Sequence, residues 1–211
     1  MQVNASAGRT VKQQILMSAT RRGPGKPFLA KDFLDIGSRA SVDMALGSLA
    51  KEGTIRRIRR GLYDIPKVSS TLGGELSPDI DAAAHALARR YRWKIVPDGA
   101  WAANLLGLST QVPAKVTYLS DGPSRSVPIG RRTIQFKHAR PQALASPGGK
   151  AALVIQALRH IGKAAAHDEK LIAMLKSILS TAEIRQFVRA ARLGVDWIYE
   201  VAKLIAKDQV G

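Results

Sequence analysis

The chain has 211 residues, 45% of them hydrophobic, enough for one sizeable core or two small ones. Thirty-three Lys and Arg against sixteen Asp and Glu leave a formal charge of +17. That charge draws polyanions: nucleic acid first, with an anionic membrane surface or an acidic protein as the rival partners. Cysteine is absent, which excludes a disulfide scaffold, a thiolate metal site and a cysteine nucleophile. No apolar run approaches the roughly 18 residues of a membrane span, so no membrane partner is expected. The start, "MQVNASAGRTVKQQ", has no hydrophobic segment ahead of its first charges and does not read as a secretory signal. The expected location is cytoplasmic.

Residues 11–20 have helical spacing, with Val11, Ile15, Leu16 and Ala19 on one side. "RRGPGKPF" breaks that pattern, and a short helix over residues 30–34 follows. Ser38 can cap a third helix that runs to about Lys51 and ends at Gly53. Two strands are expected next, over 54–58 and 62–65, with Pro66 closing the second. Three helices and then a β-hairpin is the order of a winged helix-turn-helix.

Stepping about 100° per residue along the third helix puts Val42, Ala45, Leu46 and Leu49 on one face, the expected core side. Ala40, Ser41, Met44, Gly47, Ser48 and Lys51 share the other face, with Arg39 at its edge near the amino end. That outer face is slender and has no carboxylate at its centre, so it can enter a major groove about 12 Å wide. Asp43 is expected to the side. Arg39, Ser41, Met44, Ser48 and Lys51 are the candidate base or phosphate contacts, with Met44 suited to a thymine methyl or to packing against a neighbouring helix.

The hairpin contains "IRRIRRG", four arginines in five positions. With Ile55 and Ile58 pinning it to the core, Arg56, Arg57, Arg59 and Arg60 are expected to project as the sides and tip of a wing that neutralises phosphates. The first 67 residues hold thirteen basic and five acidic side chains, a denser positive charge than the remainder. Residues 1–67 are therefore read as the DNA-binding domain. "VSSTLGGELSPDI", residues 68–80, is rich in Ser, Thr, Gly and Pro and reads as a linker. Residues 81–211 form a mixed second domain.

In that second domain a helix is expected over 79–92, a strand in "WKIVP", and a helix with Trp101 over 99–106. The strands "AKVTYLS", "RSVPIG" and "RRTIQFKHA" follow, the first turn being "DGPS". After "SPGGK" come helices over 150–160, 169–179, 182–192 and 196–206. The fold class is thus α+β: a winged helix-turn-helix domain, then a mixed domain that ends in helices.

Catalytic chemistry finds little support. None of the four histidines forms an H-E-x-x-H pair. His85 reads as structural or exposed, and His138, in a basic strand, is a candidate phosphate contact. At His167, Asp168 and Glu169 the two acids point apart and serve as helix-start residues, so no metal site is assigned. "PGGKAA" is no phosphate loop, because Leu144 stands where its first glycine belongs and Ala151 replaces the metal-binding hydroxyl. Trp93, Trp101 and Trp197 are bordered by apolar residues and read as core. No catalytic residue, metal or cofactor is assigned, and the chain is read as a non-enzyme. An unrecognised nuclease is the enzyme-class rival.

"SVDMALGSLAKEGTIRRIRRGLYDIPK" resembles the helix, wing and tyrosine-containing exit strand of the AbiEi family, antitoxins of type IV toxin–antitoxin systems. The stretch "WAANLLGLSTQVPAKVTYLSDGPSRSVPIGRRTIQFKHARP" is similar to the central segment of the same family. The resemblance implies a bifunctional protein: an amino-terminal domain that binds double-stranded operator DNA and represses its own operon, and a carboxy-terminal domain that opposes a nucleotidyltransferase-like toxin without a stable complex. It also implies that Arg125, Arg131, Arg132 and Lys137 form a second basic surface, for DNA or for the antitoxin role. One small winged domain makes few base contacts, so cooperative self-association on repeated half-sites is expected. The competing readings are a toxin-sequestering protein, a generic winged-helix regulator and an RNA-binding protein.

Overall fold

The computed structural model describes residues 8–71, 73–111, 113–144 and 149–207. Part of the amino-terminal stretch, residue 72 of the expected linker and most of "SPGGK" lie outside the described residues. The architecture is mixed α+β with open sheets. Two compact units divide the chain: residues 1–92 together with 128–133, and residues 93–127 together with 134–211.

The first unit opens with α1 (Val11–Arg22), capped by Thr10, whose side chain accepts from the Gln13 amide while Gln13 returns the bond to the Thr10 amide. β1 (Phe28–Leu29) and a 3-10 turn (Ala30–Phe33) lead to α2 (Arg39–Lys51), started by the Ser38 hydroxyl. The hairpin consists of β2 (Arg56–Arg59) and β3 (Leu62–Asp64). β3 is central in an antiparallel sheet of order β1-β3-β2, with Phe28 opposite Tyr63 and Arg56 opposite Asp64. A core of Ile15, Ala19, Phe28, Phe33, Val42, Leu46, Leu49 and Ile55 joins α1, the turn and α2 to this sheet. The face of α2 expected inside is inside, since Val42, Ala45, Leu46 and Leu49 are all buried.

The two compact units part between residues 92 and 93. The Ser-, Gly- and Pro-rich stretch is folded onto the first unit. β4 (Val68–Ser69) and β5 (Gly74–Glu75) pair antiparallel, and the Leu76 amide donates to the Lys67 carbonyl at 2.7 Å. The Asp79 amide donates to the Gly25 carbonyl at 2.9 Å, and the Asp79 carboxylate pairs with Lys26. Burial opposes ionisation of Asp79, but the Ala82 amide and Lys26 outweigh it and hold the carboxyl below its ordinary range. α3 (Ile80–Tyr91) follows, capped by Asp79, with Ala83, Ala84, Leu87 and Ala88 buried. Arg92 ends α3 in the left-handed region at φ 59°.

Beyond α3, β6 (Ile95–Pro97) and α4 (Gly99–Leu105) precede β7 (Lys115–Ser120), β8 (Arg125–Ile129) and β9 (Arg132–His138), of which residues 128–133 count with the first unit and the rest with the second. These strands form a sheet of order β6-β7-β9-β8. α5 (Pro141–Leu144), α6 (Gly149–Ile161), α7 (Glu169–Ile178), α8 (Thr181–Ala191) and α9 (Asp196–Ala206) complete the chain. The apolar faces of α6, α7, α8 and α9 share a core with α4 that includes Ala102, Val154, Leu158, Leu175, Phe187, Ile198 and Val201.

Trp101 is buried and its indole N–H donates to the Tyr118 hydroxyl at 2.8 Å. Trp93 meets Phe136 edge to face at 5.5 Å. Gly122 is pressed against Trp93 so closely that a Cβ there would lie 2.1–2.3 Å from indole atoms. Gly122→Ala is therefore expected to destabilise this unit by about 2–3 kcal/mol through overpacking, read as a lowered unfolding midpoint. A midpoint equal to wild type would mean that Trp93 moves aside freely.

Among the described residues, no helix is long and apolar enough to cross a membrane.

Candidate nucleic-acid interface

α2 presents its predicted outer face to solvent. Arg39, Ala40, Met44, Gly47 and Lys51 are exposed, and Ser41 and Ser48 are half-buried. Met44 is 75% exposed, so it packs on neither neighbouring helix. The hydroxyls are engaged within the helix: Ser41 Oγ lies 2.9 Å from Ser38 Oγ, and Ser48 donates to Glu52 at 2.7 Å. Lys12 and Ser48 together hold the Glu52 carboxyl below its ordinary range. Sequence reading passed over Glu52, because a helix-end acid four residues after a serine carries no distinctive signal.

The hairpin separates its four arginines into different roles. Gly61, at φ 76°, supplies the left-handed turn between β2 and β3. The register places Arg56 beside Asp64, and its Nε and Nη2 donate to the two carboxylate oxygens at 3.0 and 2.7 Å. Arg56 Nη1 also donates to the Leu76 carbonyl and to Glu75. Asp64 is 0% exposed, and its hydrogen bonds raise the Arg56 pKa above the ordinary arginine value. Arg56 was expected to point to solvent as part of the wing; instead it neutralises a buried carboxylate. A usable signal was present in "LYDIP", where an acid inside an apolar strand needs a cation across the hairpin.

A register shift between Arg57 and Arg59 turns the following side chains. Arg57 and Arg60 are exposed, and no ion pair engages either among the described residues. Arg59 is half-buried, with its Nη1 enclosed and lacking a hydrogen-bond partner among the described residues.

α2 and the hairpin flank one cleft of about 340 Å³. Arg39, Asp43 and Gly47 line it from α2, and Arg57, Arg60 and Gly61 from the hairpin. Lys31 and Arg90 add two further cations. Asp43, expected to stand to the side, lines this cleft, where Arg39 Nε neutralises it at 2.7 Å. Arg90, at the end of α3, donates from Nη1 to the Arg60 carbonyl at 2.8 Å and so braces the hairpin turn. Other acids of the unit are engaged elsewhere: Asp32 with Arg22 and Arg89, Glu52 with Lys12, and Asp79 with Lys26. The cleft therefore keeps a strong positive excess, and two of its guanidiniums have free donors for an anion.

The four residues of the second basic surface divide between the units. Arg131 and Arg132 belong to the hairpin tip counted with the first unit, and Arg125 and Lys137 to the second. Arg125 lies over the Trp93 ring at 5.8 Å. His138 Nδ1 is 3.1 Å from the Gly122 carbonyl, which gives that ring a structural contact. His85 sits 3.7 Å from Asp81 one turn away, and His167 Nδ1 is 3.4 Å from the Lys163 carbonyl. Among the described residues, no three His, Asp or Glu side chains assemble as a metal set.

A family model described as "Family of unknown function (DUF6088)" matches residues 14–187. The chain belongs to this family. The match takes in the whole of the cleft between α2 and the hairpin as well as the sheet and helices α6 and α7. No curated protein matches the chain. Among solved structures, the RV2827C protein from Mycobacterium tuberculosis is similar, at 15% identity and a TM-score of 0.43, over 96% of this chain and 78% of that one.

Proposed function

We propose that this protein binds double-stranded DNA through a winged helix-turn-helix made of α1, the 3-10 turn, α2 and the β2–β3 hairpin, and that it represses its own operon. One observation carries the reading: Arg39, Asp43 and Gly47 at the edge of the exposed side of α2 and the unpaired guanidiniums of Arg57 and Arg60 border the same cleft. α2 enters the major groove, where Arg39, Met44 and Lys51 are the available contacts, while Arg57 and Arg60 neutralise the flanking phosphates. Ser48 Oγ already donates its proton to Glu52 and Ser41 Oγ shares one hydrogen bond with Ser38, so Ser48 is available to a base chiefly as an acceptor.

The antitoxin role rests on the two sequence segments that resemble the AbiEi family. In that reading the second unit counteracts a nucleotidyltransferase-like toxin, and two copies of the protein associate cooperatively on adjacent half-sites. No cofactor enters the mechanism.

The test is footprinting of the purified protein on the DNA upstream of its own gene, with a matched RNA duplex as competitor. Protection of a discrete segment, resistant to RNA, is the expected result. Uniform weak binding to both duplexes, or cleavage of the DNA with Mg²⁺, would sink it. For the antitoxin role, co-expression with the neighbouring toxin gene should restore growth without a co-purifying complex. A stoichiometric complex would mean sequestration instead.

A further inference from the structure

Gly47 lies in the interior of α2, on the exposed face and at the edge of the cationic cleft. Glycine at such a position destabilises a helix relative to alanine, because it exposes backbone and loses more conformational freedom on folding. A glycine inside a helix is ordinarily explained by a neighbour that leaves no room for a Cβ, or by a backbone angle that only glycine adopts. Neither holds here. A Cβ built on Gly47 would meet nothing within 4 Å, and Gly47 is not among the positive-φ glycines. Nothing among the described residues requires it.

Across the cleft stand Arg57 and Arg60, whose guanidiniums no carboxylate engages among the described residues. The empty volume where a Cβ would sit therefore opens onto two free cations. We infer that the cleft seats one phosphodiester strand of the bound duplex, and that Gly47 is the fit-determining residue against which that strand comes close to the α2 backbone. A side chain there would hold the strand away from Arg57 and Arg60 and weaken those contacts without removing any charge. This inference rests on the DNA-binding reading above and adds to it a particular place for one strand.

The test uses the full chain and a fluorescein-labelled mixed-sequence duplex of about 30 base pairs, titrated at several salt concentrations. Three variants are compared with wild type: Gly47→Ala, Gly47→Leu, and Arg57→Ala with Arg60→Ala. Gly47→Ala should raise the unfolding midpoint by about 1–3 °C, since it improves helix propensity where no packing opposes it. The same variant should bind the duplex more weakly than wild type, and Gly47→Leu should lose at least about tenfold. Both should also show a shallower salt dependence, the sign that phosphate contacts have been lost although the protein's charge is unchanged.

Wild-type affinity and salt dependence in both Gly47 variants, with binding lost in the arginine variant, would overturn the role of Gly47 and leave the DNA-binding reading standing. No binding by the wild-type protein would remove both. A midpoint that falls in Gly47→Ala would show that the glycine serves the fold, which would likewise end the inference.

Discussion

Arg56→Ala is expected to destabilise the first unit by about 3–5 kcal/mol, measured as a large fall in its denaturant or thermal midpoint. The cause is the partner left behind. Asp64 has no solvent exposure, and Arg56 supplies both hydrogen bonds to its carboxylate oxygens and the compensating charge. Truncation would leave an ionised group with no solvent exposure and no compensating charge, or force it to take up a proton. It would also release the Leu76 carbonyl and Glu75, which tie the β4–β5 segment to the hairpin. Removing Asp64 as well should recover much of the loss, since the double variant buries no unpaired charge. An Arg56→Ala protein as stable as wild type would mean that water reaches Asp64 and that the pair has no structural role. Weaker DNA binding by Arg56→Ala would report unfolding and would say nothing about recognition.

Arg57→Ala combined with Arg60→Ala should leave stability almost unchanged while reducing affinity for duplex DNA by about a hundredfold at low salt. Both side chains are exposed and lack carboxylate partners among the described residues, so their removal breaks no ion pair there. Two fewer phosphate contacts should make the log–log salt slope shallower by about 2. Fluorescence anisotropy across a salt series measures both quantities together. An unaltered slope would place the hairpin away from the DNA backbone, whatever the change in affinity. This pair is a better probe of the wing than all four arginines, because the set of four includes the buried rivet at Arg56.

Much of the element order was legible in the chain because local signals agreed with one another. Ser38, read as a cap, accepts the backbone bond that starts α2, and Asp168, read as a helix-start acid, does the same for α7. The periodic apolar positions of α2 are the buried ones, and the expected strands and helices of the later chain appear within a few residues of their places. Missed elements are those too short to carry a period: β1, the β4–β5 pair and α5. The 68–80 stretch is hard to read for a related reason. Gly, Ser and Pro mark turns, and a turn is equally compatible with a loose linker and with a hairpin held down by Arg56, Lys26 and Gly25.

The candidate interface was legible in part. Charge density and the slender side of α2 pointed to a surface that the structure leaves exposed, but composition treats every arginine of "IRRIRR" alike. Strand register distinguishes them: it sets Arg56 opposite a buried acid and leaves Arg57 and Arg60 beside α2.

What the amino-acid order determined alone was the order of the longer helices, the hairpin and its turn, and the strong positive charge, because each follows from neighbouring residues or from simple counting. Only the tertiary structure decided which cation is consumed by a buried carboxylate, that Asp43 faces the cleft neutralised, and that nothing among the described residues needs Gly47 to be glycine. Those outcomes depend on groups far apart in the chain, such as Arg90 with Arg60 and Arg56 with Glu75, whose meeting no local pattern encodes.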